Sequence, residues 1–180
     1  MKQTLLLTTT LTLLFSSLDT TSHAQKCKYV GEQVDPFTKQ GIYNFRHVIG
    51  PLLGGWTFIL RQEGARCFVG VGMQNGKGMT EKLKKGAKIS FLLEDESTIE
   101  IVTKKEYESI PDEEAAPGYT QWFVLEEVSK ATFAKFGTSP IKALKTAFQL
   151  KGNNQEFLLP GIMKKQAKRI MAAAACMAGN

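Results

Sequence analysis

The stretch KISFLLEDESTIEIVTK, residues 88–104, decides the fold class of this chain. Ile89, Phe91 and Leu93 alternate with Ser90 and Leu92, and Ile99 and Ile101 resume the alternation beyond the polar EDES. A period of two puts successive side chains on opposite faces of a pleated strand, so both runs present one apolar face to a core. The acidic segment between them predicts a solvated hairpin turn. It lacks the spaced Asp/Asn series and the glycine of an EF-hand loop, which argues against a calcium site.

Upstream, YNFRHVI (43–49), GWTFILRQ (55–62) and RCFVGVGM (66–73) are short aromatic and β-branched runs bounded by glycine and by the turn-like EGA. They predict a meander, with Trp56, Phe58 and Leu60 on one face of the second run and Cys67, Val69 and Val71 on one face of the third. Gly70 and Gly72 read as positions of close backbone approach, and Asn75-Gly76 as a turn. Downstream, YTQWFVLEEV (119–128) predicts a strand, and Ser129 caps a short helix, KATFAKF, that stops at Gly137. PIKALKTAFQL (140–150) fits both periods, but the turn-like SP before it and KGNN after it favour a strand. The last segment, GIMKKQAKRIMAAAACM (161–177), predicts a helix with Pro160 near its first turn. Met163, Ala167, Ile170 and Ala174 form its apolar stripe, while Lys164, Lys165 and Lys168 fall elsewhere. Basic amphipathic helices can lie on membranes. Here the apolar face is small and alanine-rich, which favours docking on the sheet.

The first residues have the order of a secretory signal: Lys2, the apolar and threonine-rich TLLLTTTLTLLFSSL, then Ser22 and Ala24 at the small-residue positions of a cleavage site. The apolar run is too short to span a bilayer with ordinary flanks. Gln25 and Lys26 directly precede Cys27, and two long polar side chains do not suit the small subsites that lipidation requires. The expectation is cleavage after Ala24, no lipid, and a single α+β domain over 25–180. That domain would be an antiparallel, strand-rich sheet of meander and hairpins, with a short helix and a C-terminal helix packed on it. Export permits disulfides, and the chain has 3 cysteines. Cys67 lies in a strand interior, whereas Cys27 and Cys176 lie near the two ends of the expected mature chain, which favours pairing those two. Sequence alone does not fix connectivity. No CxxC motif is present, which argues against redox catalysis.

Motifs for chemistry are sparse. After cleavage only His47 of the 2 histidines remains, in a strand pattern, with no HExxH and no G-x-S-x-G elbow, so it reads as structural. The glycine-rich GVGMQNGKGMT fails the P-loop pattern at Val71 and Gly78, and its third glycine, Gly76, arrives one residue late for G-x-G-x-x-G. No cofactor and no metal is expected. Paired carboxylates for a hydrolase would have to come from Asp35, Glu94, Asp95 or the cluster Asp112, Glu113 and Glu114, each more simply a surface group. The net charge of +6 suggests an anionic partner, and outside the cytosol that means a lipid surface, a polysaccharide or an acidic protein rather than nucleic acid. The charges fall in mixed blocks, GKGMTEKLKKGAK, EDES, PDEEAAPG and KKQAKR, which is the usual pattern of solvated loops and helix faces.

CKYVGEQVDPFTKQG (27–41), followed by the GAKISFLLEDESTIEI hairpin, resembles small exported proteins of Gram-negative bacteria with a Cys-aromatic start and a D-x-F-T segment. Cys27, Tyr29, Asp35, Phe37 and Thr38 carry the likeness, which implies export and a strand-rich fold and supplies no active site. Physically, Asp35 before Pro36 reads as a turn, and Phe37 as an anchor packing the N-terminal arm. The functional expectation is an exported, non-enzymatic binding or accessory protein of the bacterial cell envelope, monomeric and without a transmembrane span. An exposed sheet face or the loops at 74–88 and 105–118 would meet a protein, a glycan or a small apolar ligand. The alternative is a secreted or periplasmic hydrolase with paired carboxylates.

Overall fold

The period-two runs do become strands, and the strands divide between two sheets. The computed structural model describes residues 27–50, 55–75, 81–111, 120–150 and 153–179. The expected signal segment and its cleavage site, the Asn75-Gly76 turn at Gly76 and the 112–114 carboxylates lie outside the described residues. In chain order the strands of the first half are β1 (Gly31–Val34), β2 (Gly41–Ile49), β3 (Trp56–Glu63), β4 (Arg66–Asn75), β5 (Glu81–Leu83), β6 (Lys88–Leu93) and β7 (Thr98–Val102). They are followed by β8 (Tyr107–Glu108), β9 (Ile110–Pro111), β10 (Thr120–Val128), α1 (Lys130–Lys135), β11 (Ile141–Leu150), β12 (Asn153–Leu159) and α2 (Lys164–Gly179).

The first sheet has the order β1-β2-β3-β4-β10-β9, and the second β7-β6-β11-β5-β8 with β12 on the other edge of β11. All pairings are antiparallel. The antiparallel, strand-rich expectation holds, but the single sheet does not. A period-two pattern says which face of a strand is buried and leaves open what covers it. Here each sheet covers the other.

Register builds the core in rows. Phe58 stands opposite Val71, which stands opposite Val124; on the second sheet Phe91 lies between Ile99 and Leu144. Phe58 and Phe91 meet edge to face at 5.6 Å. Phe136, at the end of α1, lies 5.4 Å from the first ring and 5.1 Å from the second. Such tilted aromatic contacts add specificity to the area they bury. A second cluster joins Trp56 to Trp122 at 5.5 Å and to Phe157 of β12 at 5.1 Å. Ser129 caps α1 as expected, its Oγ accepting from Thr132 N at 3.0 Å.

A polar contact crosses from one sheet to the other. Glu126 of β10 is buried, yet its Oε1 accepts from Lys104 N at 2.7 Å and from the Tyr107 hydroxyl at 2.9 Å. The same hydroxyl lies 3.1 Å from Leu125 O. Burial first, and then the Glu126 carboxylate, push the Tyr107 phenol up to about 12. A raised pKa means that the folded state favours the neutral phenol. This stabilisation is complete below about pH 10, the unfolded value, and is lost as pH rises towards 12. Tyr107→Phe is expected to cost about 1–2 kcal/mol in urea denaturation at pH 7, with the deficit shrinking between pH 10 and 12. A deficit that persisted unchanged to pH 12 would show that folding does not raise the Tyr107 pKa.

Two expectations near the chain ends are corrected. Phe37 is 93% exposed and does not pack as an anchor against the described residues. Asp35 holds the turn instead, its Oδ1 accepting from Phe37 N at 2.8 Å and Thr38 N at 3.1 Å, which leaves Phe37 at the tip. The last helix begins at Lys164 and not at Pro160. The preceding residues continue the extended path of β12, and Ile162 N donates to Lys142 O at 3.3 Å. Met163 therefore leaves the apolar stripe and is 60% exposed, whereas Ala167, Ile170 and Ala174 are buried as expected.

Candidate functional site: a basic groove on the C-terminal helix

Helix α2 buries Ala167, Ile170, Ala173, Ala174 and Met177. Its apolar side packs on α1, β2, β3 and β11. The approach to α1 is close: a Cβ on Gly137 would stand 2.8 Å from the Ala175 backbone. With that face committed, helical periodicity turns Lys164, Lys165, Lys168, Arg169 and Ala172 to the other side.

The N-terminal arm is brought onto this outer side by a disulfide. Cys27 and Cys176 are bonded, with Cα atoms 5.8 Å apart and a sequence separation of 149. Tyr29, two residues beyond Cys27, stands against the helix, with Arg169 Cζ 5.5 Å and Lys28 Nζ 5.6 Å from its ring centroid. Contact of cations with a ring face is attractive through the ring quadrupole. Tyr29, Lys164, Lys165, Lys168, Arg169 and Ala172 together line a groove of about 510 Å³.

Its charge is uncompensated. On the second sheet lysines are matched: Lys82 with Glu106 and Glu108, Lys88 with Glu100, Lys142 with Glu96, Lys145 with Glu156. Among the described residues Lys164, Lys165, Lys168 and Arg169 have no carboxylate partner, and no Asp or Glu follows Glu156 in the chain. By contrast a smaller hollow of about 370 Å³ on the second sheet is lined by Lys88, Glu100, Lys145 and Glu156, whose ion pairs cancel. Like charges crowded on one helix face repel, and an anion relieves that repulsion.

The field of the groove reaches the layer beneath. His47 of β2 has its pKa lowered by burial and then by Arg169, so it is neutral at pH 7. Its Nε2 is buried with no hydrogen-bond partner among the described residues, and so is Oε1 of Gln166, whose Nε2 donates to Val48 O at 3.1 Å. His47 is thus a strand residue at the α2 seam, close enough to Arg169 to feel its charge.

The other residues singled out in the sequence fall as follows. Cys67 is a free, buried thiol whose pKa is pushed up by burial. Asp35 has its pKa lowered by the Phe37 and Thr38 N–H groups, and Asp95 by the Ser97 hydroxyl and N–H. Both are held ionised inside their own turns, which is opposite to the raised pKa that a glycosidase general acid requires. Glu94 is exposed beside the same turn as Asp95. Of the two loops expected to bind, 76–80 and 112–118 lie outside the described residues. Among the described residues no three His, Cys, Asp or Glu side chains converge as metal ligands. No helix among them is long and apolar enough to cross a membrane.

The KKQAKR block carried the signal for this groove, as two basic pairs four residues apart. What its sequence does not contain is the Tyr29 wall, which the disulfide and the β1–β2 pairing bring to the helix. A scan of protein-family models, a search of curated proteins and a search of solved structures each give no match to the chain.

Proposed function

We propose that this chain is an exported, non-enzymatic binding module of the bacterial cell envelope, and that its ligand is anionic and occupies the groove between Tyr29 and α2. The observation that carries this reading is the group of four cationic side chains, Lys164, Lys165, Lys168 and Arg169, gathered in one groove with no carboxylate partner among the described residues. The disulfide supports an oxidising compartment, where envelope polymers and headgroups bearing negative charge are the available polyanions. Lysine and arginine side chains supply attraction and several hydrogen-bond donors to an anion, which favours binding. Among the partners expected from the sequence, an anionic glycan fits this groove better than a small apolar ligand.

The oxidised protein is expected to be retained on immobilised heparin, a sulfated polyanion, and to elute with salt, because bound counterions are released on binding. Neutralising Lys164, Lys165, Lys168 and Arg169 to Gln should move elution to much lower salt. A control with Lys39, Lys84, Lys85 and Lys130 changed to Gln has the same net charge and should elute near the parent. Equal elution of the two variants would sink the groove as the site.

A further inference from the structure

Resting on the anion-groove reading, we infer that the groove takes a ligand carrying two phosphate groups, one held by Lys164 with Lys168 and the other by Lys165 with Arg169. Each pair is spaced i, i+4, a separation that sets side chains about 5–6 Å apart at Cβ and lets both tips converge on one anion. Helical periodicity places Ala172 between the two columns, where its methyl leaves room for the body of a ligand joining two phosphates. Tyr29, with Lys28 and Arg169 over its ring, closes the side nearest the disulfide.

Charge matching favours phosphate over carboxylate. The four cations Lys164, Lys165, Lys168 and Arg169 offer two positive charges to each of two anionic groups. A phosphomonoester carries about −1.5 to −2 at pH 7 and three acceptor oxygens, so two of them nearly neutralise the groove. Two carboxylates would leave half of the charge uncompensated. Arg169 supplies a planar fork for two oxygens of one phosphate, and the lysines act as point charges. The shared chemistry is that of a bisphosphorylated saccharide, whether free or presented as a lipid headgroup.

The test is calorimetric titration of the oxidised protein with inorganic phosphate, fructose 6-phosphate and fructose 1,6-bisphosphate. The bisphosphate is expected to bind at least roughly tenfold tighter than the monophosphate, since one added charge-assisted contact is worth that much. Lys164→Gln with Lys168→Gln, or Lys165→Gln with Arg169→Gln, should each bring bisphosphate affinity down to the monophosphate level. The His47 ring resonance, which feels Arg169, should shift in the same titration. Equal affinity for mono- and bisphosphate, with both pairs of substitutions still weakening binding, overturns the two-phosphate inference and leaves the anion groove standing. Binding that neither pair of substitutions weakens, or no binding of any probe, overturns both. Phosphatidylcholine vesicles containing phosphatidic acid separate the sources. Capture that the bisphosphate competes away assigns a membrane source, with the phosphates of neighbouring lipids in the groove, and bisphosphate binding without capture assigns a free saccharide; in either case the two-phosphate inference stands or falls on the comparison of mono- and bisphosphate.

Discussion

Alanine at Gly70 is expected to destabilise the protein by on the order of 3 kcal/mol or more, because the added methyl has no space that a side chain could vacate. A Cβ there would stand 2.1 Å from Val124 O and 3.1 Å from Leu125 Cα, both in the backbone of β10. Strand β4 lies between β3 and β10 in its sheet, so it has neighbours on both edges. Moving β4 away from β10 would pull Val69 and Val71 out of rows that also hold Leu60, Phe58 and Val124. Gly72 on the same strand is the informative contrast. Its Cβ would meet the Phe123 ring at 2.3 Å, and a partly exposed ring can swing aside, so Gly72→Ala should cost less. Urea denaturation of the two variants gives the comparison. A loss below about 1 kcal/mol at position 70 would show that the β4 and β10 backbones separate readily, against the packing described for the core.

Where local chemistry decides structure, the sequence was informative. Alternation marked β2, β3, β4, β6, β7 and β10, and the Ser129 cap with Gly137 marked α1, because period and capping are properties of a few consecutive residues. The strands β5, β8 and β9 have two or three residues each, too few to show a period. They exist through partners far along the chain, such as Leu83 opposite Tyr107 and Ile110 opposite Gln121. Strand β12, NNQEFLL, is exposed over its first four residues, so it shows no alternation, and its extended path delays the last helix to Lys164. Glu126 looked like any other strand carboxylate. Only the arrival of Tyr107 and Lys104 from the second sheet's edge makes it a buried acceptor. The groove follows the same logic. Its cations are adjacent in sequence and were legible as a basic block, while its wall comes from the opposite end of the chain.

The disulfide is the covalent tie between that wall and α2, so replacing both Cys27 and Cys176 by Ser should change stability and binding together. The bond spans 149 residues. Loop-closure entropy for a loop of that size gives a stabilisation of about 5 kcal/mol, the upper end of what disulfides contribute. The double variant should therefore melt roughly 10–20 °C lower, if each kcal/mol moves the midpoint by about 2–4 °C in a chain of this size. Cys67 is buried with its pKa raised, so it does not readily exchange with the pair, and mild reduction of the parent should reproduce the variant. A separate loss is expected at the groove. Without the bond, Tyr29 keeps its contact with Arg169, Val30 packed on the core and the β1–β2 pairing that begins at Gly31, and polyanion affinity should fall towards that of Tyr29→Ser, which keeps the disulfide. Measured well below the lowered midpoint, the two variants separate fold from site. If the double Ser variant melts low yet binds like the parent, the arm is a clamp on the chain ends and no part of the ligand site. If it melts within a degree or two of the parent, the burial of Ile170, Ala174 and Met177 and the contact of Gly137 with Ala175 already hold α2 in place. The disulfide would then serve chiefly to seat Tyr29 beside the cations, and its effect on affinity would be the larger of the two.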